Sequence, residues 1–216
     1  MPQRTTSAAE RVYAEVKERI LSGQVAGGSL LGEADVATDL GVSRTPVRES
    51  FIRLEAEGWM TLYPRRGALV HEIAPRDVRE VVQARLLVET GTVREAVDAG
   101  RNGELAERMA EVLDAQRAAF ASDDHHRFTE LDASFHHLPV EACTNRLLEA
   151  FFATLGDRQR RMAAHALWGE HERRASVLTD HDELVDAVRA GDVERFERLL
   201  GAHLRAVYDG YLDSGR

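Results

Sequence analysis

Residues 41–59, GVSRTPVRESFIRLEAEGW, limit the fold more than any other part of the chain. Gly41 suits a tight turn after Leu40, and Ser43 or Thr45 is placed to cap the free amides of a helix that carries Pro46 in its first turn. Val47, Phe51, Ile52 and Leu54, with Glu55 beside it, recur at helical spacing and read as the inward side. Arg44, Thr45 and Arg48 are left on the other side of the first two turns. A helix pushed end-on into a major groove presents its N-terminal side chains to bases and phosphates, and an arginine fork there can donate two bonds to guanine or phosphate.

The flanks fit that reading. Residues 8–22 predict an amphipathic helix on Val12, Val16 and Ile20, and residues 33–40 a shorter one on Val36 and Leu40. Downstream, residues 59–62 and 68–71 read as two short strands joined by Tyr63, Pro64, Arg65, Arg66 and Gly67. Three helices followed by a two-stranded wing is the winged helix-turn-helix order. VSRTPVRE, then GW, then PRRG at the hairpin tip resemble the DNA-binding domain of the GntR family of bacterial transcription regulators, over about residues 8–74. The resemblance implies that Arg44, Arg48, Arg65, Arg66 and Gly67 contact DNA, and the first turn of the helix adds Thr45. Ala34, in EADVA, stands where the family commonly has an arginine, and Gly32 stands where a better helix cap is common. One contact is therefore missing, which implies either a weaker grip or compensation by Arg4 and Arg11.

With 216 residues, 44% hydrophobic and 30% charged, the chain has room for two modest soluble domains. The first ten residues hold no apolar run and no segment approaches a membrane span, so neither secretion nor insertion is expected. Cys143 is the only cysteine. It excludes a disulfide within the chain and fits a reducing cytoplasm. The net charge of −9 looks wrong for a DNA binder until it is divided: residues 1–75 hold 9 basic and 10 acidic side chains, residues 76–216 hold 19 and 27. The positive field of the first domain must then come from local clustering of arginines, and affinity from dimerisation.

The expected division is a winged helix-turn-helix over 1–75 and an antiparallel all-helical bundle over 76–216, so the chain is mainly α. Helices are predicted near 76–99, 104–122, 125–141, 145–167, 172–190 and 192–213. Polar residues interrupt their apolar stripes. Asp132 and His136 share a face with Phe128, Leu131 and Phe135; His181 sits with Val177, Leu178, Leu184, Val185 and Val188; His203 sits with Val193, Phe196, Leu200 and Val207. A lone inward histidine is ordinarily a satisfied core residue, whereas three imidazoles and a carboxylate from three helices suit Zn²⁺, Ni²⁺, Mn²⁺ or Fe²⁺ with positions left for water or a ligand.

LDASFHH, then DHDELVDAVRAGD, then a histidine about twenty residues on resemble the metal-binding form of the FadR-type C-terminal (FCD) domain of GntR regulators, over roughly residues 76–213. The resemblance implies that Asp132, His136, His181 and His203 are the metal ligands, zinc being the ion expected on purification. Arg85, one turn before Glu89 on an apolar stripe, is either a structural ion-pair partner or, as the resemblance implies, the anchor for an effector's carboxylate. Arg158 and Arg161 are further effector candidates, and Trp168 is expected to close the cavity. Pro139 should kink or end its helix; His137 is read as exposed, and His125, His126, His165 and His171 as surface or capping residues.

The expectation is a homodimeric, ligand-responsive repressor on a palindromic operator, with a small carboxylate as effector. Two other readings stay open: a constitutive dimer with a purely structural metal, and a metalloenzyme fused to a DNA-binding domain. Against the enzyme, the inward set offers no additional general base.

Overall fold

Ser7 starts the first helix, α1 (Ala8–Leu21), with a reciprocal cap: its hydroxyl accepts the Glu10 amide at 3.1 Å while the Glu10 carboxylate accepts the Ser7 amide at 2.8 Å. This computed structural model describes residues 7–167 and 170–212, and the chain divides into two units, Met1–Ile73 and Ala74–Arg216. Arg4 and Trp168 therefore lie outside the described residues. Val12, Val16 and Ile20 of α1 pack with Val47, Phe51 and Leu54 of α3 (Arg44–Ala56), and α2 (Glu33–Asp39) adds Val36 and Ala37. Each such Val, Ile, Leu or Phe side chain, fully buried, contributes about 1.5–3 kcal/mol.

Two details of α3 differ from expectation. Ser43 is the residue before the helix, yet its hydroxyl makes no capping bond. The hold is one turn further in, where the buried Ser50 hydroxyl lies 2.7 Å from the Pro46 carbonyl and 2.8 Å from that of Ala9. Ile52 is 52% exposed. It lies about 100° round the helix from Phe51, off the line through Val47, Phe51 and Leu54.

The wing is β2 (Met60–Tyr63) paired antiparallel with β3 (Gly67–Val70) in the register Met60↔Val70 to Tyr63↔Gly67. A third strand, β1 (Leu30–Leu31), pairs with the other edge of β3. Gly67 permits it: its φ is +105°, and a Cβ there would stand 2.2 Å from the Leu31 carbonyl oxygen.

The second unit begins at Ala74, one residue before α4 (Pro75–Asp98), whose Pro75 occupies the first turn. It continues with α5 (Asn102–Ala121), α6 (His125–Ala142), α7 (Arg146–Leu167), α8 (His171–Ala190) and α9 (Val193–Leu212). Helix α5 packs on α6 and α8, α4 on α9 and α6, and α8 on α9, so the inward faces of α4, α5, α6, α8 and α9 share one interior. Left-handed residues close four joints: Gly100, Asp123, Thr144 and Gly191. Pro139 neither ends nor breaks α6, which runs on to Ala142. It falls in the last turn, where its missing amide removes a single bond and its ring is buried.

Candidate nucleic-acid face and metal centre

The start of α3 and the tip of the wing meet on one face. Arg44, Arg48, Arg65, Arg66 and Gly67 line a depression of about 600 Å³, shared with Glu33, Ala34 and Tyr63. All four arginines are exposed. Thr45 is exposed on the same first turn but is not part of that lining. The tip is a tight turn in which the Arg66 amide donates to the Tyr63 carbonyl at 3.0 Å and Arg65 takes φ 63°. Glu33 is a feature the sequence reading passed over. Its carboxylate lies 3.8 Å from the Arg44 guanidinium and tempers a face that also lacks a charge at Ala34.

In the helical unit, the i, i+4 spacing on α6 brings Asp132 and His136 inward together, and α8 and α9 bring His181 and His203 to them. One ligand atom from each of the four lies within 4.8 Å of the others, and all four residues are buried. The three imidazole rings form a near-equal triangle, with centroids 5.1, 5.3 and 5.0 Å apart. Phe135 stacks on His181 at 4.0 Å with the planes 5° apart, which fixes that ring's plane.

Each histidine is held from behind. The Nδ1 of His136 lies 2.7 Å from Glu89 Oε2, that of His181 lies 2.9 Å from Gln116 Oε1, and that of His203 lies 3.0 Å from Asp180 Oδ2. All three partners are oxygen acceptors, so Nδ1 carries the proton and Nε2 keeps its lone pair. The Nε2 atoms of His136 and His181 are buried without a hydrogen-bond partner. Burial above all, with the positive charge of Arg85 adding to it, holds the pKa of both rings well below the usual histidine value, so both are neutral donors. Orphaned neutral nitrogens facing a buried carboxylate fit a divalent transition metal.

Arg85 is 1% exposed, and its Nε donates to Glu89 Oε1 at 2.8 Å. Its Nη2 is buried and unpartnered. Burial works against the guanidinium's charge, but Glu89, Tyr208 and Asp132 outweigh it and keep Arg85 firmly protonated. The ion pair with Glu89 is thus present, and a donor edge is left over. Arg158 is exposed, and Arg161 is buried with Tyr211 and Asp77 in electrostatic reach; neither takes part in the linkage from Arg85 to His136. His137 departs from expectation: it is half-buried against Phe152, ring centroids 5.6 Å apart.

The outer partners were not all legible in the sequence. Gln116 continues the buried α5 stripe of Leu105, Met109 and Leu113, so a polar residue on an apolar face signalled it. Asp180 gave no such signal, being a half-buried residue beside His181.

Comparison with known proteins places both units. Residues 80–206 match the FCD domain and residues 8–70 match the bacterial regulatory proteins of the gntR family. An HTH-type transcriptional regulator of an unstable DNA locus in Streptomyces ambofaciens is 32% identical over 204 residues, covering 92% of this chain and 82% of that protein. The HTH-type transcriptional repressor RspR of Escherichia coli is 28% identical over 202 residues, covering 92% and 86%. The crystal structure of a GntR regulator from Rhodococcus sp. RHA1 superposes with a TM-score of 0.79 at 26% identity, over 98% of this chain and all of that one. These relatives are transcriptional regulators. The chain belongs to the GntR family of bacterial transcription regulators, with an FCD domain following its winged helix-turn-helix.

Proposed function

We propose that the chain is a cytoplasmic, ligand-responsive repressor that grips a palindromic operator as a homodimer and senses a small carboxylic acid at a metal in its helical unit. Arg44, Thr45 and Arg48 enter the major groove, and Arg65, Arg66 and Gly67 of the wing follow the adjacent backbone. One recognition helix reads few base pairs, so two-fold symmetry doubles the site. Asp132, His136, His181 and His203 hold the metal; zinc is the ion best suited to three imidazoles and one carboxylate, with nickel, manganese and iron as the others. When bound, the ion supplies a Lewis acid for carboxylate or hydroxyl oxygens.

The observation that carries this reading is the convergence of four buried ligand atoms within 4.8 Å, two of them imidazole nitrogens with no other partner. Arg85 stands one residue removed from that cluster through Glu89, and its buried Nη2 has no hydrogen-bond partner, a donor that an anionic ligand would answer. The acid shifts operator affinity by the difference between its affinities for the DNA-bound and free forms. Fluorescence anisotropy with DNA from upstream of the chain's own gene tests this, with zinc-loaded protein titrated with hydroxy acids, sugar acids and dicarboxylates. An acid that changes operator affinity with metal present, and not after chelation, supports the reading. A panel that leaves affinity and melting temperature unmoved refutes it.

A further inference from the structure

Among the three outer partners, Glu89 differs in kind. Gln116 Oε1 meets His181, and Asp180, 35% exposed, meets His203. Glu89 is fully buried and commits both oxygens: Oε1 accepts from Arg85 Nε and Oε2 meets His136 Nδ1. The four-residue spacing of Arg85 and Glu89 on α4 makes the first contact, and the packing of α4 on α6 makes the second. Because Arg85 donates through Nε, its Nη2 is left without a partner in the same buried interior.

We infer that Glu89 is a positioning residue that transmits what happens at Arg85 to the ligand nitrogen of His136. This rests on reading the quartet as metal ligands and Arg85 as the anion anchor. An ionised carboxylate fixes the His136 proton on Nδ1 and raises the basicity of Nε2, and the Arg85 cation sets how much of that carboxylate's charge His136 feels. An anion paired with the unpartnered Nη2 offsets the cation, Glu89 becomes a stronger acceptor, and His136 becomes a better donor to metal. By linkage, metal at the quartet strengthens anion binding by the same factor.

Glu89→Gln tests the link in the full chain. The amide can offer its oxygen to only one of its two neighbours and turns an NH₂ towards the other. Zinc affinity, measured by competition with a chromophoric chelator, is expected to fall about 10- to 100-fold. In the metal-free protein, ¹⁵N-edited imidazole spectra should show His136 moving towards the Nε2–H tautomer while His181 and His203 keep theirs. Arg85→Gln should shift the Nδ1–H resonance of His136 well beyond those of His181 and His203, which feel the guanidinium only through space; equal shifts in all three rings would count against relay through Glu89. If Glu89→Gln does not fold, Glu89→Asp keeps the charge but shortens the reach, and the same loss of zinc affinity is expected from it. Zinc affinity within twofold of the unaltered chain, with the His136 tautomer unchanged, overturns the role of Glu89. Absence of metal binding by the unaltered chain overturns the quartet reading and this one with it.

Discussion

Replacing His181 with alanine separates a metal site from a satisfied polar core. Without metal, the change removes a fully buried ring stacked on Phe135 at 4.0 Å, worth about 1 kcal/mol. It also leaves Gln116 Oε1 without its 2.9 Å partner, on the order of 1–3 kcal/mol. Part of that is returned, because the orphaned Nε2 of His181 disappears with the ring. The net loss in the metal-free protein is about 2 kcal/mol. With zinc at about a thousand times its dissociation constant, the unaltered chain gains about 4 kcal/mol, and a site reduced to three donors gains little of it. The difference between the two proteins should therefore grow from about 2 to about 6 kcal/mol on adding zinc. At about 2–4 °C per kcal/mol for a unit of this size, zinc should raise the melting transition of the unaltered chain by roughly 8–16 °C and move that of His181→Ala far less. Differential scanning calorimetry with zinc and with a chelator measures both. Equal zinc shifts in the two proteins would refute the reasoning, since the imidazole would then not be a ligand.

The winged unit offers three further tests. Gly67→Ala drives a Cβ to 2.2 Å from the Leu31 carbonyl at a φ of +105°, so strain and the loss of β1 pairing should together cost about 2–4 kcal/mol in urea titration and weaken operator binding; unchanged values would show that β1 is dispensable. Arg48→Ala should lower operator affinity by about 1–3 kcal/mol in anisotropy titrations and leave the melting temperature within a degree or so, because the side chain is exposed; an unaltered affinity would remove Arg48 from the interface. Burial alone would raise the Glu57 carboxyl, but bonds from Tyr13 and Lys17, then Arg53, leave it below its ordinary 4.5. A depressed folded-state pKa stabilises fully above the unfolded value and is lost as pH falls through the folded one. Glu57→Gln should then be the less stable protein at pH 7 by about 1 kcal/mol, and the difference should shrink as the pH falls below the ordinary carboxylate value and through the depressed one; a difference that does not shrink in acid would contradict the assignment.

Helical periodicity located eight of the nine helices among the described residues to within two residues at either end, and the start of the ninth, α3, because each buries a face whose spacing is written in the sequence. It could not find β1: two residues carry no alternation, and the reason they pair at all is the empty space at Gly67, a tertiary fact. The quartet was legible for a related reason. A charged or imidazole residue on an otherwise apolar stripe is costly unless something answers it, so Asp132, His136, His181 and His203 announced themselves. What answered them was less visible. Glu89 was readable as a neighbour of Arg85 one turn away, but its second bond crosses to another helix, and only packing supplies it. Ile52 shows the opposite failure, an apolar residue counted inward that the helix's rotation leaves in solvent.

The near-neutral composition of the winged unit also acquires a physical meaning. Three of its ten acids are paired away from that face: Glu57 takes Lys17 and Arg53, while Glu15 and Asp39 take Arg19. Those pairs cancel at short range, so their fields fade within a Debye length. Arg65, Arg66 and Arg48, with Arg44 only loosely matched by Glu33 at 3.8 Å, remain together on one exposed face. A chain can thus carry −9 overall and still present a cationic groove-facing edge. The compensation has a functional consequence. With few uncommitted cations per copy, one winged unit releases few counterions and holds arbitrary DNA weakly, so strong binding requires two units in the register of a palindrome. On the proposed reading, a signal that alters how two copies are placed would act on nearly the whole of the affinity, so a metal and an acid held in the other unit would be effective regulators.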